Sequence, residues 1–197
     1  MKIGVLALQG DFVEHVHILQ ALGVDAVEVR KPEQLRDLDG LIIPGGESTT
    51  FGKLALEYGL VDPIREMCNT GKPVWGTCAG MIVLAKEIGA EVPHLGLMDI
   101  KVQRNAFGRQ IESFETDLDI PAIDSASNGN GQHRPYHAIF IRAPLIENEG
   151  PGVQVLARLE DGAVVAARQD NLMVTSFHPE LTNDTRFHEY FLKQLGK

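Results

Sequence analysis

The chain has 197 residues, 44% hydrophobic and 23% charged, with a net charge of −9; these are the proportions of an ordinary globular protein long enough to bury a substantial core. The acidic balance argues against general nucleic-acid binding, which needs a basic face, and no apolar stretch approaches the roughly 20 residues of a membrane span. Two cysteines, Cys68 and Cys78, make no disulfide framework, and the opening run turns polar too soon for a signal peptide, so a cytoplasmic protein is expected.

Strand and helix signals alternate through the first half. Lys2 to Leu8 opens with a continuous apolar run, as expected of a strand buried on both faces. Phe12, Val16, Leu19 and Leu22 recur at helical spacing, and Gly23 can end that helix. Val24 to Val29 reads as a second strand, and Pro32 to Leu38 as a short helix with proline in its first turn. Gly40 to Ile43 is a third strand, cut by Pro44-Gly45-Gly46. Helical patterns run over Ser48 to Tyr58 and Val61 to Cys68; Pro73-Val74-Trp75 is a fourth strand, and Met81 to Ile88 a further helix. This alternation implies a parallel sheet with helices on both faces. In such sheets ligands bind beyond the carboxyl ends of the strands. Gly46 and Cys78 both directly follow strands, so their loops should open on one edge.

From Met98 onward the segments are shorter. Strands are expected over 99–103, 110–118, 138–141, 153–159, 163–167 and 172–177, with Glu160-Asp161-Gly162 as a hairpin turn. Asp184 to Leu195 closes the chain as a helix, and the polar, Gly-rich run from Ser125 to Arg134 reads as a surface loop. No repeat or linker interrupts the chain, so one domain over residues 1–197 is expected.

Three segments carry chemistry. Gly76-Thr77-Cys78-Ala79-Gly80 sits at a strand-to-helix turn, the nucleophile-elbow pattern with cysteine in place of serine. The sharp turn demands small neighbours and points the side chain at a helix N-terminus, which favours a thiolate. An isolated cysteine of this kind is often only a core group, and Cys68, beside Met67 on an amphipathic helix, reads that way. Cys78 gains weight from Ser176-Phe177-His178-Pro179-Glu180. There His178 is the candidate base, and Glu180, two residues on in an extended segment, can lie alongside it and bond one imidazole nitrogen. In Pro44-Gly45-Gly46-Glu47-Ser48-Thr49-Thr50, paired glycines let backbone N–H groups approach a ligand. Ser48 or Thr49 can cap the next helix. No Gly-Lys-Ser/Thr follows, so an oxyanion donor facing Cys78 fits better than a Walker-type loop. His15 and His17 point to different faces of their helix. His133 and His137 lack a completing cysteine or carboxylate for zinc. Arg104 and Arg142 stand at strand ends, as surface ion pairs or as carboxylate receptors.

Cysteine elbow, Gly-Gly loop and His-Pro-Glu, in that order, resemble the class I, triad-type glutamine amidotransferases. Within them, Leu8-Gln9-Gly10, Pro44 to Thr50, Gly76 to Gly80, Arg104-Asn105-Ala106-Phe107-Gly108-Arg109-Gln110, Phe140 to Pro144 and Ser176 to Leu181 resemble the family of glutaminase subunits of pyridoxal 5′-phosphate synthase. The Gly-Gly-Glu-Ser-Thr-Thr and Arg-Asn-x-Phe-Gly-Arg-Gln runs discriminate, because other amidotransferases share only the elbow and His-x-Glu. The loop from Ser125 to Arg134 is longer than usual for the family.

The resemblance implies a flavodoxin-like α/β fold, a three-layer sandwich with a mostly parallel central sheet and shorter antiparallel strands in the second half. It implies hydrolysis of L-glutamine to glutamate and ammonia by Cys78, His178 and Glu180. Glutamine contacts would come from Gly46, Glu47, Ser48, Arg104, Ile141 and Arg142, with an oxyanion hole from Gly46 and Ala79. No cofactor and no metal are implied. The implied partner is the ring-forming synthase subunit in a large hetero-oligomer, with no nucleic acid and no membrane. A Gly-Gly peptide turns at little steric cost, so docking is expected to swing its N–H toward the oxyanion site. Alternative readings are a glutaminase feeding imidazole or purine synthesis, another elbow-cysteine hydrolase such as a peptidase, and a binding module whose Gly45-Gly46 loop holds an anion.

Overall fold

A computed structural model describes residues 1–104, 113–124 and 133–196. Its elements are, in order, β1 (Lys2–Leu6), α1 (Phe12–Ala21), β2 (Asp25–Val29), a 3-10 turn (Pro32–Leu35), β3 (Gly40–Ile43), α2 (Ser48–Glu57), α3 (Val61–Asn69), β4 (Val74–Thr77), α4 (Ala79–Leu84) and β5 (Ala85–Glu87). There follow β6 (Met98–Gln103), β7 (Ser113–Leu118), α5 (Pro121–Asp124), β8 (Tyr136–Ile141), β9 (Leu145–Glu149), β10 (Gln154–Arg158), β11 (Val164–Gln169) and β12 (Leu172–Thr175). The chain closes with a 3-10 turn (Pro179–Leu181), α6 (Arg186–Lys193) and a last 3-10 turn (Gln194–Gly196).

Among the described residues, ten strands form one sheet in the order β2-β1-β3-β4-β12-β11-β9-β6-β5, with β10 added beside β11. The run β2-β1-β3-β4-β12 is parallel throughout and follows the flavodoxin-like order. Its fifth strand comes from the far end of the sequence. Beyond it the sheet turns antiparallel through β11, β9 and β6. The strands of the second half therefore mostly extend the main sheet; only β7 and β8 pair apart from it.

Period-two alternation divides the core into two layers. Leu41, Ile43, Val74 and Val174 point to the side covered by Phe51 and Ala55 of α2, Ile64 and Met67 of α3, and the whole of α4. Ile3, Val5, Ile42, Trp75 and Met173 point to the other, where Val16 and Leu19 of α1, Phe187 and Phe191 of α6, and the β7–β8 pair cover them. The fold expected from the sequence is the one observed.

Three expectations change. The helix foreseen over Met81 to Ile88 stops at Leu84, and Ala85 turns extended to pair with Met98 of β6. Ala85 and Ile88 stay buried, so their apolar periodicity serves a sheet edge. Pro32 opens only one 3-10 turn, because the next buried contact, Leu38, already leads into β3. Strand β9 was not foreseen. The expected strand over 110–118 is seen from Ser113; residues 110–112, and the loop at 125–132, lie outside the described residues.

Candidate active site

The loops after β1, β3, β4 and β12 open on one edge of the sheet, and the strand order reverses between β1 and β3, the switch point where such sheets bind ligands. A cavity of about 700 Å³ lies there, within the range of small-molecule sites. Gly46, Glu47, Ser48, Cys78, Ala79, Arg104, Ile141, Arg142 and His178 all line it. Glu180 does not; it sits buried behind His178.

Cys78 occupies the elbow with φ 47° and ψ −105°, a conformation that L-residues adopt under strain. Its N–H donates to the Thr175 carbonyl at 2.8 Å, and its Sγ lies 3.7 Å from the Ile141 carbonyl oxygen. The elbow glycines are required by close approach: a Cβ at Gly80 would run into the Ile43 carbonyl, and one at Gly76 into the Gly80 backbone. Cys68, by contrast, is a core thiol of α3, and burial pushes it up to about 12.

His178 is anchored by its N–H, which donates to the Ile139 carbonyl at 2.9 Å. Its imidazole Nδ1 lies 2.7 Å from Glu180 Oε1, and the ring shares the cavity lining with Cys78. Glu180 reaches it through the 3-10 turn that Pro179 begins, not through the extended segment expected from the sequence. Proline fixes φ and bends the chain so that Glu180 folds back onto the ring. Burial alone would lower the His178 pKa; the bonds and charges of Cys78 and Glu180 outweigh it and raise the pKa to about 10. Burial opposes the charge on Glu180 too, but His15 and His178 on either side hold its carboxyl well below the usual range.

The Gly45 carbonyl is turned onto the β1–α1 loop, where it accepts from the Asp11 N–H at 3.4 Å and would meet any Cβ at Gly10. In a planar trans peptide the Gly46 N–H points opposite to that carbonyl. The next N–H, of Glu47, donates to Gln9 Oε1 at 2.7 Å. Glu47 itself caps α2, in place of the expected Ser48 or Thr49. Its carboxylate accepts from the N–H groups of Thr49 and Thr50 at 3.1 and 2.7 Å; burial pushes its pKa up, but these bonds together outweigh it and lower the pKa.

Arg104 reaches Thr49 Oγ1 at 3.2 Å and Glu91 at 3.2 Å. Its buried Nε has no partner among the described residues. The rest of the Arg104–Gln110 motif lies outside the described residues. Arg142 holds a positive φ of 46° beside Ile141 on the cavity rim.

Sequence reasoning missed Asp11 and His15. Asp11 lines the cavity, with Oδ2 3.4 Å from His178 Nδ1; burial raises its pKa against the pull of His178. Asp11, His178 and Glu180 offer donor atoms within 4.8 Å of one another, but the Glu180–His178 hydrogen bond already uses two of them. His15 lies three residues after Phe12 and four before Leu19, on the apolar face of α1, a signal that marks it as buried. His137 was expected to lack carboxylates, yet cross-strand pairing sets it 2.9 Å from both Glu115 and Asp117. Each ring nitrogen takes a different carboxylate, an ion-pair arrangement rather than a ligand shell.

No helix among the described residues is long and apolar enough to cross a membrane. The pyridoxal 5′-phosphate synthase subunit PdxT of Herpetosiphon aurantiacus is 56% identical to the chain over 196 residues, 98% of this chain and 99% of that one. The protein of the same name from Niallia circulans is 57% identical over 196 residues, 99% of this chain and 98% of the other. A crystal structure of a glutamine amidotransferase matches with a TM-score of 0.89 and 52% identity, covering 99% of both chains. The model of the SNO glutamine amidotransferase family matches residues 5–197, and with an elbow cysteine, a buried His–Glu pair and a cavity at the switch point in place, the chain belongs to that family.

Proposed function

We propose that this chain hydrolyses L-glutamine to L-glutamate and ammonia, and delivers the ammonia to the ring-forming subunit of pyridoxal 5′-phosphate synthase in vitamin B6 biosynthesis. The observation that carries the chemistry is the meeting of Cys78, His178 and buried Glu180 at one cavity. The partner is supported by the full-length match to the PdxT subunits at 56% and 57% identity. In this reading residues 1–197 are one amidotransferase domain, working in the cytoplasm within a large hetero-oligomer.

The Cys78 thiolate, paired with protonated His178, attacks the side-chain carboxamide carbon of glutamine. The resulting oxyanion accepts hydrogen bonds from the Gly46 and Ala79 N–H groups; one such donor is worth about 3–4 kcal/mol, or ~10²–10³ in rate. His178 gives its proton to the departing nitrogen, ammonia leaves, and a glutamyl thioester remains. Once the sulfur is acylated, its charge no longer holds a proton on His178. The neutral imidazole then takes a proton from water, which cleaves the thioester and restores the thiolate. Glu180 keeps the ring oriented throughout. Arg104 and Arg142 receive the substrate α-carboxylate, and Gly46, Glu47, Ser48 and Ile141 line its path.

Glutamate release from L-glutamine, measured with and without the ring-forming synthase subunit, tests the reading. Release should rise when the partner is added and vanish in Cys78→Ala. Release that ignores this partner but responds to an imidazole or purine synthase would reassign the acceptor. No release under any condition would refute the glutaminase.

A further inference from the structure

Behind His178 the structure continues as a closed file of titratable groups. The Glu180 side chain is inaccessible to solvent and divides its oxygens: Oε1 is 2.7 Å from His178 Nδ1, and Oε2 is 3.3 Å from His15 Nε2. Oε2 has no aligned hydrogen bond among the described residues. A buried carboxylate is costly unless each oxygen faces a donor, so His15 decides whether the second oxygen is compensated. His15 Nδ1 lies 2.9 Å from His188 Nε2, its own Nε2 lies 3.3 Å from Thr77 Oγ1, and both histidines are fully buried.

Tautomer counting sets the direction of this file. A nitrogen–nitrogen hydrogen bond needs one donor and one acceptor. If a neutral His15 donated from Nδ1, its Nε2 would turn a lone pair toward the Glu180 carboxylate, with only the Thr77 hydroxyl to answer it. His188 would then bury an N–H at Nδ1, an atom without a partner among the described residues. If His188 donates from Nε2 instead, His15 carries its proton toward Glu180, and only a lone pair on His188 is left unpaired. Burial keeps His188 neutral, its pKa well below the usual histidine value, so it has one proton to place.

We propose that His15 is a positioning residue for the Cys78–His178–Glu180 set, presenting an Nε2–H to Glu180 Oε2 that holds the carboxylate aimed at His178. The inference rests on the glutaminase reading above. It gives α1 a role in the chemistry: one of its buried-face residues forms the back wall of the site.

Two-bond proton–nitrogen spectra of the histidine-labelled free chain read the tautomer directly. A proton at His15 Nε2 is expected, and a bare Nε2 overturns the proposal whether or not glutamine is turned over. Kinetics of the complex with the synthase subunit supply the second arm. His15→Leu, which fills the space without an N–H, should lower kcat roughly 10- to 100-fold, the range of a lost hydrogen bond to a charged group. KM should change little. The acid limb of the pH profile should move upward, because the Glu180 anion loses a donor. His178 and Asp11 face Glu180 from the cavity side, and His188 and Tyr136 from behind; all remain in the variant. His15→Gln, whose amide N–H reaches the same place, should restore most of kcat and the original limb. Identical kinetics and pH profiles in the Leu and Gln variants would make His15 a packing residue and overturn the proposal. A wild-type complex that fails to hydrolyse glutamine would strike the glutaminase reading instead and leave the tautomer result standing.

Discussion

At the scale of single residues, the site depends on one strained backbone and one buried pair. Cys78 is lifted from the sheet at φ 47°, and His178 is turned toward it by the 2.7 Å bond to Glu180. Cys78→Ala should therefore reduce glutamate release to background. Glu180→Gln should lower kcat by about 10²–10⁴ while KM stays near its original value, because the imidazole remains but loses its orienting anion. Steady-state assays with the synthase partner check the ordering; a Glu180→Gln enzyme as inactive as Cys78→Ala, or fully active, would contradict it. The Gly-flanked cysteine and the His-Pro-Glu run are visible in the sequence because the chemistry needs those residues close together along the chain. The burial of His15 is legible on the apolar face of α1, but its contact with Glu180 spans most of the chain, so its place at the site was passed over.

At the scale of elements, the elbow between β4 and α4 is an assembly of close backbone approaches. Gly80→Ala would drive a Cβ into the Ile43 carbonyl of β3, so β3 or the elbow must move. Overpacking of this kind costs about 1–3 kcal/mol, and the displaced Cys78 should lose activity as well. Urea unfolding together with glutamate release measures both, and an unchanged midpoint with full activity would show that the contact relaxes freely. The small residues of the elbow were legible as a motif. Which atoms they make room for was not, since Ile43 and Gly80 meet only when β3 and β4 pair in register. The early end of α4 has the same origin: Ala85 leaves the helix because β6 offers it a strand partner.

At the scale of the whole molecule, Trp75 joins the site to the core. It is fully buried, edge-on to His15 and His188 at 5.7 and 5.0 Å and packed on Phe187 and Phe191. Trp75→Ala should cost about 3–5 kcal/mol. Trp75→Phe should cost clearly less, because it removes an indole N–H that has no partner among the described residues. Equal losses in chemical denaturation would contradict that account. Stability should also fall in acid, in two stages. His188 is held well below its unfolded value of 6.5 by burial, so from pH 6.5 downward the unfolded chain binds a proton that the native chain refuses. Stability then falls by up to about 1.4 kcal/mol per pH unit. Glu180, depressed from 4.5, adds a second loss as pH falls below 4.5. Denaturation midpoints between pH 7 and about pH 2 test this; His188→Phe should flatten the first stage and leave the second.

The sequence by itself determined the parallel α/β fold, the cysteine elbow, the His-Pro-Glu pair and the Gly-Gly loop, because each rests on local periodicity or on residues adjacent along the chain. Tertiary structure alone decided that β12 takes the fifth place beside β4. That pairing, between strands nearly a hundred residues apart, sets His178 against Cys78. It also decided that the antiparallel strands extend the main sheet, and that α1 and α6 bring His15 and His188 behind Glu180. These are contacts between segments remote in sequence, and they follow from burying both faces of one sheet at once, a requirement that no local pattern records.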